Sequence, residues 1–174
     1  KQLCLAAADT VGIGYEFEKP TGRPIRRISD HVRAITFSIH EGVNPGSEKE
    51  SYVVRQLLRR ALLEGYLLGK HEPFLYQLVP AVVEIMKTPY PDIAKTVANV
   101  QRTIKDEEEQ FLGVIEKGLT RFEGFLKNAE KQGLSEISGE DAFDLHQTDG
   151  FLIELTEALA AKNNIAVDRV EFNT

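Results

Sequence analysis

The stretch DIAKTVANVQRTIKDEEEQFLGVIEKGLTRFEGFLKNAEKQ, Asp92–Gln132, decides the fold class. It holds no proline, and Ile93, Val97, Val100, Ile104, Phe111, Ile115, Phe122, Leu126 and Ala129 keep near-helical spacing. A half-buried strand would alternate every second residue instead. An unbroken helix of this length would reach about 60 Å, long enough to act as a spine. Gly113, Gly118 and Gly124 argue against a straight, continuous rod, because each glycine weakens a helix interior. Gly133 supplies a stop.

The same period recurs on either side of this segment. Ile28, Val32, Ile35 and Ile39 step by four, three and four, with Arg26, Arg27, Asp30 and Arg33 falling mainly on the other side. Pro24 suits a first helical turn, and Gly42 a stop. Asn44-Pro45-Gly46-Ser47 then reads as loop. A second helix is expected from about Lys49 to Leu68, its buried face carrying Val53, Val54, Leu57, Leu58, Ala61, Leu62 and Leu68 and another face Arg55 and Arg59. Ser47 and Glu50, three apart, match a capping box. A third helix is expected from Pro73 to Lys87, kinked or broken at Pro80. Two shorter ones follow near Ser138–Gln147 and Phe151–Lys162, and Ile165-Ala166-Val167 suits a short extended piece. No hairpin signal and no fixed repeat occurs. The expected fold is all-α, a multihelical array with one long spine helix, divided into a part at 1–133 and a smaller one at 134–174.

Composition narrows the function. The chain has 174 residues, 42% hydrophobic and 28% charged, enough apolar material to exclude disorder and disulfide-stapled miniproteins. No apolar run approaches the roughly 20 residues that cross a bilayer, so no membrane partner is expected. A lone cysteine, Cys4, suits a reducing compartment, and a cytoplasmic location is expected. Starting at Lys1, the chain reads as a piece of a longer protein. Its net charge of -6 hides an imbalance: residues 1–70 sum to +3 and the remainder to -9. A basic N-terminal part on an acidic remainder points weakly to a polyanionic partner.

Enzyme signatures are missing. The four histidines have no HExxH or Cys–His spacing, and no metal site is expected. Asp30-His31 is like the adjacent metal ligands of helical phosphohydrolases but reverses their order and has no further partners in the pattern. Asp106-Glu107-Glu108-Glu109 cannot converge on one ion, since consecutive helical residues point apart; it reads as a solvated face. Gly12 and Gly14 are not followed by the third glycine of a dinucleotide loop. Arginine is the feature that stands out. Arg26, Arg27, Arg33, Arg55, Arg59 and Arg60 fall on two helices joined by one loop, so a shared basic surface is expected. Arginine forks grip phosphate in bidentate fashion, and a nucleic-acid backbone is the commonest extended phosphate array.

Linked blocks of residues then carry a family resemblance. Ile28-Ser29-Asp30-His31-Val32-Arg33, Glu41-Gly42-Val43, Tyr52-Val53-Val54-Arg55 and Leu58-Arg59-Arg60-Ala61 resemble the alanyl-tRNA synthetases. So do Glu107-Glu108-Glu109-Gln110-Phe111, Glu116-Lys117-Gly118-Leu119, Gly139-Glu140 and Gly150-Phe151. The blocks keep their order across nearly all of residues 25–170. The resemblance implies the central helical tRNA-recognition domain, which lies between a class II catalytic domain and an editing domain. It implies no catalytic residue and no cofactor here, with ATP and magnesium used by the parent's catalytic domain and zinc held in its editing domain. The implied partner is the acceptor stem of alanine tRNA, not DNA, beside those neighbouring domains.

In that family an asparagine and an aspartate read a G·U wobble at the third acceptor base pair. By resemblance they fall on Ser47 and Gln147, so this chain departs at both. It also has Glu50 and Gln56 where the family has arginine, and Leu152 where it has proline. Arg55, Arg59 and Arg60, with Lys49 and Arg33, remain as the implied backbone contacts. The competing expectation is a helical scaffold that kept the fold without binding RNA, motivated by Ser47, Glu50 and Gln147. A metal-dependent hydrolase built on Asp30 and His31 stands far behind.

Overall fold

A computed structural model describes residues 1–173, with 148 and 149 as backbone only. Among these residues the fold is all-α apart from one two-residue strand pair. The helices are α1 (Gln2–Val11), α2 (Gly22–His40), α3 (Lys49–Leu67), α4 (Val79–Met86), α5 (Val97–Gln132), α6 (Gly139–Asp149), α7 (Ile153–Lys162) and α8 (Arg169–Phe172). The chain forms two compact units, Lys1–Phe111 and Leu112–Thr174, and α5 supplies residues to both.

In the first unit α2 lies against α3. The period read from the sequence becomes the buried seam: Ile25, Ile28, Val32 and Ile35 are fully buried, as are Leu58, Ala61 and Leu62. Val53, expected on the buried face of α3, is exposed because it lies about 100° around the helix from buried Val54. α1 adds Ala7, Ala8 and Val11; its alanine-rich stripe is too weakly apolar to announce itself in the sequence. Phe74 is buried against Gly65 of α3, where a Cβ would come within 2.4 Å of its ring. Pro80 does not kink a single helix. A 3-10 turn at Leu75–Leu78 runs into α4, and Pro80 takes the first α turn, where its missing N–H has no intrahelical partner to lose.

Two further expectations are corrected. The capping box does not form, because the N-cap is Glu48, which makes no side-chain cap; Glu50 then stands one position too early to reach back. The loop instead folds onto the first turn of α3, where Gly46 N–H donates to the Ser51 carbonyl at 2.9 Å. Nor is Asp106–Glu109 a solvated face. Asp106 and Glu109 are exposed, but Glu107 and Glu108 are buried, since residues adjacent on a helix diverge by about 100°.

In the second unit α6 and α7 gather Ala142, Leu145, Phe151 and Leu155, all fully buried. Residues 166–167, expected to be extended, form β2 (Ala166–Val167) and pair in parallel with β1 (Glu136–Ile137). A two-residue strand carries no period, so β1 leaves no trace in the sequence. The glycines do not interrupt α5, which runs 36 residues without a break.

Candidate nucleic-acid interface

Arg55 and Arg59 stand one turn apart on α3 and turn toward one carboxylate of α5, Glu107. Arg59 Nε donates to Glu107 Oε1 at 2.9 Å. Arg55 Nε lies 3.4 Å from the same oxygen, as an ion pair without hydrogen-bond geometry, and it is buried with no other acceptor. Arg59 also covers the Phe111 ring, 5.0 Å from its centroid. The Glu107 side chain is only 6% exposed, so its charge is held by the two guanidiniums rather than by water. Two cations on one anion leave a net positive charge. Arg59 hydrogen-bonds Glu107 through Nε alone and Arg55 makes no hydrogen bond there, so the Nη groups of both keep their donors.

The other arginines scatter. Arg27 pairs with Glu64, and Arg26 donates to the Phe17 carbonyl at 2.9 Å while lying over the Phe17 ring. Arg33 is exposed, pairs with Asp30 at 2.6 Å and borders an apolar groove with Val82, Ile85 and Met86. Arg60, exposed on α3, acts with Arg27 on His31 of α2. Burial chiefly holds the His31 imidazole below its ordinary 6.5; these two arginines push the same way, and Asp30 and Glu64 oppose them. The single basic surface expected from two helices is therefore divided, with Arg55 and Arg59 as the pair that is brought together.

Around Arg55 the structure adds residues that the sequence reading did not select. Asn44 and Pro45 from the loop, Arg55, and Thr103, Asp106, Glu107 and Gln110 from α5 line a polar cleft of about 290 Å³. Thr103, Asp106, Glu107 and Gln110 share one helical stripe, a signal present in the sequence. What it faces was hidden, because Arg55 and the loop lie some fifty residues earlier. Ser47 is exposed on that loop. Lys49, also exposed, opens α3 with a left-handed φ of 47°, a conformation that side chains other than glycine adopt at a cost.

Gln147 belongs to the second unit, exposed near the end of α6. Its neighbour His146 donates Nδ1–H to the Phe151 carbonyl at 3.1 Å, and Gly150, at φ 67°, ends the helix in the left-handed region. Among the described residues no three His, Cys, Asp or Glu side chains gather as metal ligands.

The family described as tRNA synthetases class II (A) matches residues 2–174. The alanine–tRNA ligase of Thermotoga maritima is 43% identical over 165 residues, 95% of this chain and 18% of that protein. That of Rhodopirellula baltica is 39% identical over 163 residues, 94% of this chain and 17% of the relative. That of Leuconostoc citreum is 46% identical over 146 residues, 84% of this chain and 16% of the relative. The chain thus spans less than a fifth of the length of these curated relatives.

Proposed function

The chain belongs to the class II (A) tRNA synthetase family, and from this premise we propose that it is the tRNA-recognition region of an alanine–tRNA ligase. In this reading it grips the acceptor stem of alanine tRNA while a separate catalytic domain joins alanine to the tRNA with ATP and magnesium. In this reading ATP, magnesium and an editing-domain zinc belong to those other domains. The chain by itself catalyses nothing. A cytoplasmic site of action suits a ligase of this kind, and no described helix is long and apolar enough to cross a membrane.

The observation that carries the proposal is the Arg55–Arg59 pair held on Glu107 beside the 43–48 loop. The shared carboxylate of Glu107 restrains both guanidiniums before RNA arrives, so less side-chain freedom is lost on binding. Lys49, Arg60 and Arg33 add backbone contacts. Ser47 and Gln147 take the base-reading positions. A serine hydroxyl can donate to a uracil oxygen, and the glutamine carbonyl can accept from the guanine amino group exposed in the shallow groove of an A-form stem.

A second reading, a scaffold without RNA binding, is favoured by the same Glu107, which already engages both arginines. A salt titration of tRNA binding by the full-length protein separates the two. RNA recognition requires log affinity to fall linearly with log salt between about 50 and 200 mM, and Arg55→Ala to flatten that slope by about one. In the same titration, Ser47→Ala and Gln147→Leu should lower the preference for G·U over G·C at the third pair, a preference of about 1–3 kcal/mol per good contact. No tRNA binding at the lowest salt would make the chain a scaffold.

A further inference from the structure

The cleft beside Arg55 is built for more than a phosphate. Asn44, Thr103, Asp106 and Gln110 line it, and among the described residues none of these four side chains has a hydrogen-bond or ion-pair partner. Arg55 Nε is buried on the same wall without a hydrogen-bond acceptor. Two carboxylates, Asp106 and Glu107, also line it, and Glu107 is already neutralised by Arg55 and Arg59. A phosphate seated deep in the cleft would meet the unpaired charge of Asp106 and be repelled. What fits is a neutral group that donates to a carboxylate and accepts from an amide or hydroxyl, with one anion at its edge on Arg55.

A ribonucleotide has this pattern. Its 2′-hydroxyl both donates and accepts, and its phosphate hangs from the same sugar. Resting on the reading of the chain as an acceptor-stem binder, we propose that this cleft seats one ribose of the bound tRNA, its 2′-hydroxyl donating to Asp106 and accepting from Thr103 or Gln110, with the adjoining phosphate on Arg55. The seat reads sugar and not base. It therefore selects RNA over DNA at that nucleotide whatever the sequence, and Asp106 becomes a specificity-determining residue.

The test pairs the full-length protein with acceptor-stem RNA hairpins that carry a single 2′-deoxy nucleotide, scanned along the stem. One position should weaken wild-type binding about tenfold, the size of a charge-assisted hydrogen bond. Asp106→Ala should weaken binding to the all-ribose hairpin by the same factor and no longer register the deoxy substitution at that position. Asp106→Asn, which keeps an acceptor oxygen, should recover part of the loss. Asp106 is exposed, so an unchanged circular dichroism melt is expected of both variants.

A general gain in affinity on Asp106→Ala would show that the carboxylate merely repels phosphate, and would overturn the ribose seat. So would equal deoxy sensitivity in wild type and variant. In both cases a salt-dependent tRNA complex would leave the acceptor-stem reading standing. Failure of the wild-type protein to bind tRNA would end both.

Discussion

Glu108 carries a carboxylate with no basic side chain against it among the described residues. It is fully buried, and its two oxygens accept three backbone N–H bonds, from Phe74 and Leu75 at 2.8 Å and from Tyr76 at 3.2 Å. Burial pushes its carboxyl from the ordinary 4.5 up to about 7; the three N–H donors pull it down, and neighbouring Glu109 adds to the rise. The sign follows from proton counting. Between about pH 4.5 and 7 the folded chain holds a proton that the unfolded chain has released. The stability this lends is complete below about 4.5 and is lost as pH climbs through about 7. Urea unfolding followed by circular dichroism should show a decline of about 3 kcal/mol across that window, and Glu108→Gln should flatten it. An equal slope in the variant would assign the decline to other groups. The acidic tetrad itself was visible in the sequence; which of its members are buried was not, because their partners lie 32 to 52 positions away on other elements.

At the scale of one element, α5 was the most legible part of the chain. Its apolar period predicted a long helix, and Val100, Ile104, Phe111, Ile115, Phe122 and Ala129 are its buried apolar side chains, with Val97 and Leu126 only half-buried. Its glycines were legible only as weak points, because the sequence does not say what approaches them. Gly118 is there for Phe151: a Cβ would come within 2.1 Å of that fully buried ring. At Gly124 a Cβ would meet nothing within 4 Å, and no positive φ requires the glycine. The two should respond oppositely in denaturant unfolding. Gly124→Ala should stabilise by about 0.5–1 kcal/mol, chiefly by restricting the unfolded chain. Gly118→Ala should cost roughly 1–3 kcal/mol through overpacking. Destabilisation by both would mean that some contact also depends on Gly124.

For the whole molecule, two hydrophobic cores on one chain imply two levels of cooperativity. The Gly118→Ala strain falls on Phe151, inside the Leu112–Thr174 unit. Native-state hydrogen exchange should therefore lose protection in α6 and α7 of that variant and keep it in α2 and α3; equal loss in all four helices would show a single cooperative unit. The same division limited what could be read of the candidate site. Helical period and arginine content gave the class of surface, and the resemblance gave Ser47 and Gln147. Spacing along the chain could not tell that the arginines split among separate partners, or that α5 supplies the wall facing Arg55. Such facts depend on how helices pack, which apolar period constrains only by face.

The β1–β2 ladder has a consequence out of proportion to its two residues. Parallel pairing of Glu136 with Ala166 and Ile137 with Val167 makes the chain leave this point in the direction in which it arrived, displaced by one strand spacing of about 4.8 Å. Everything from Ser138 to Ile165, α6 and α7 included, is a detour that hands the backbone back to its own heading. Lengthening or trimming that excursion would leave the outgoing course unaltered for as long as the clasp holds, so these few backbone bonds, rather than the helices they enclose, steer the chain beyond them.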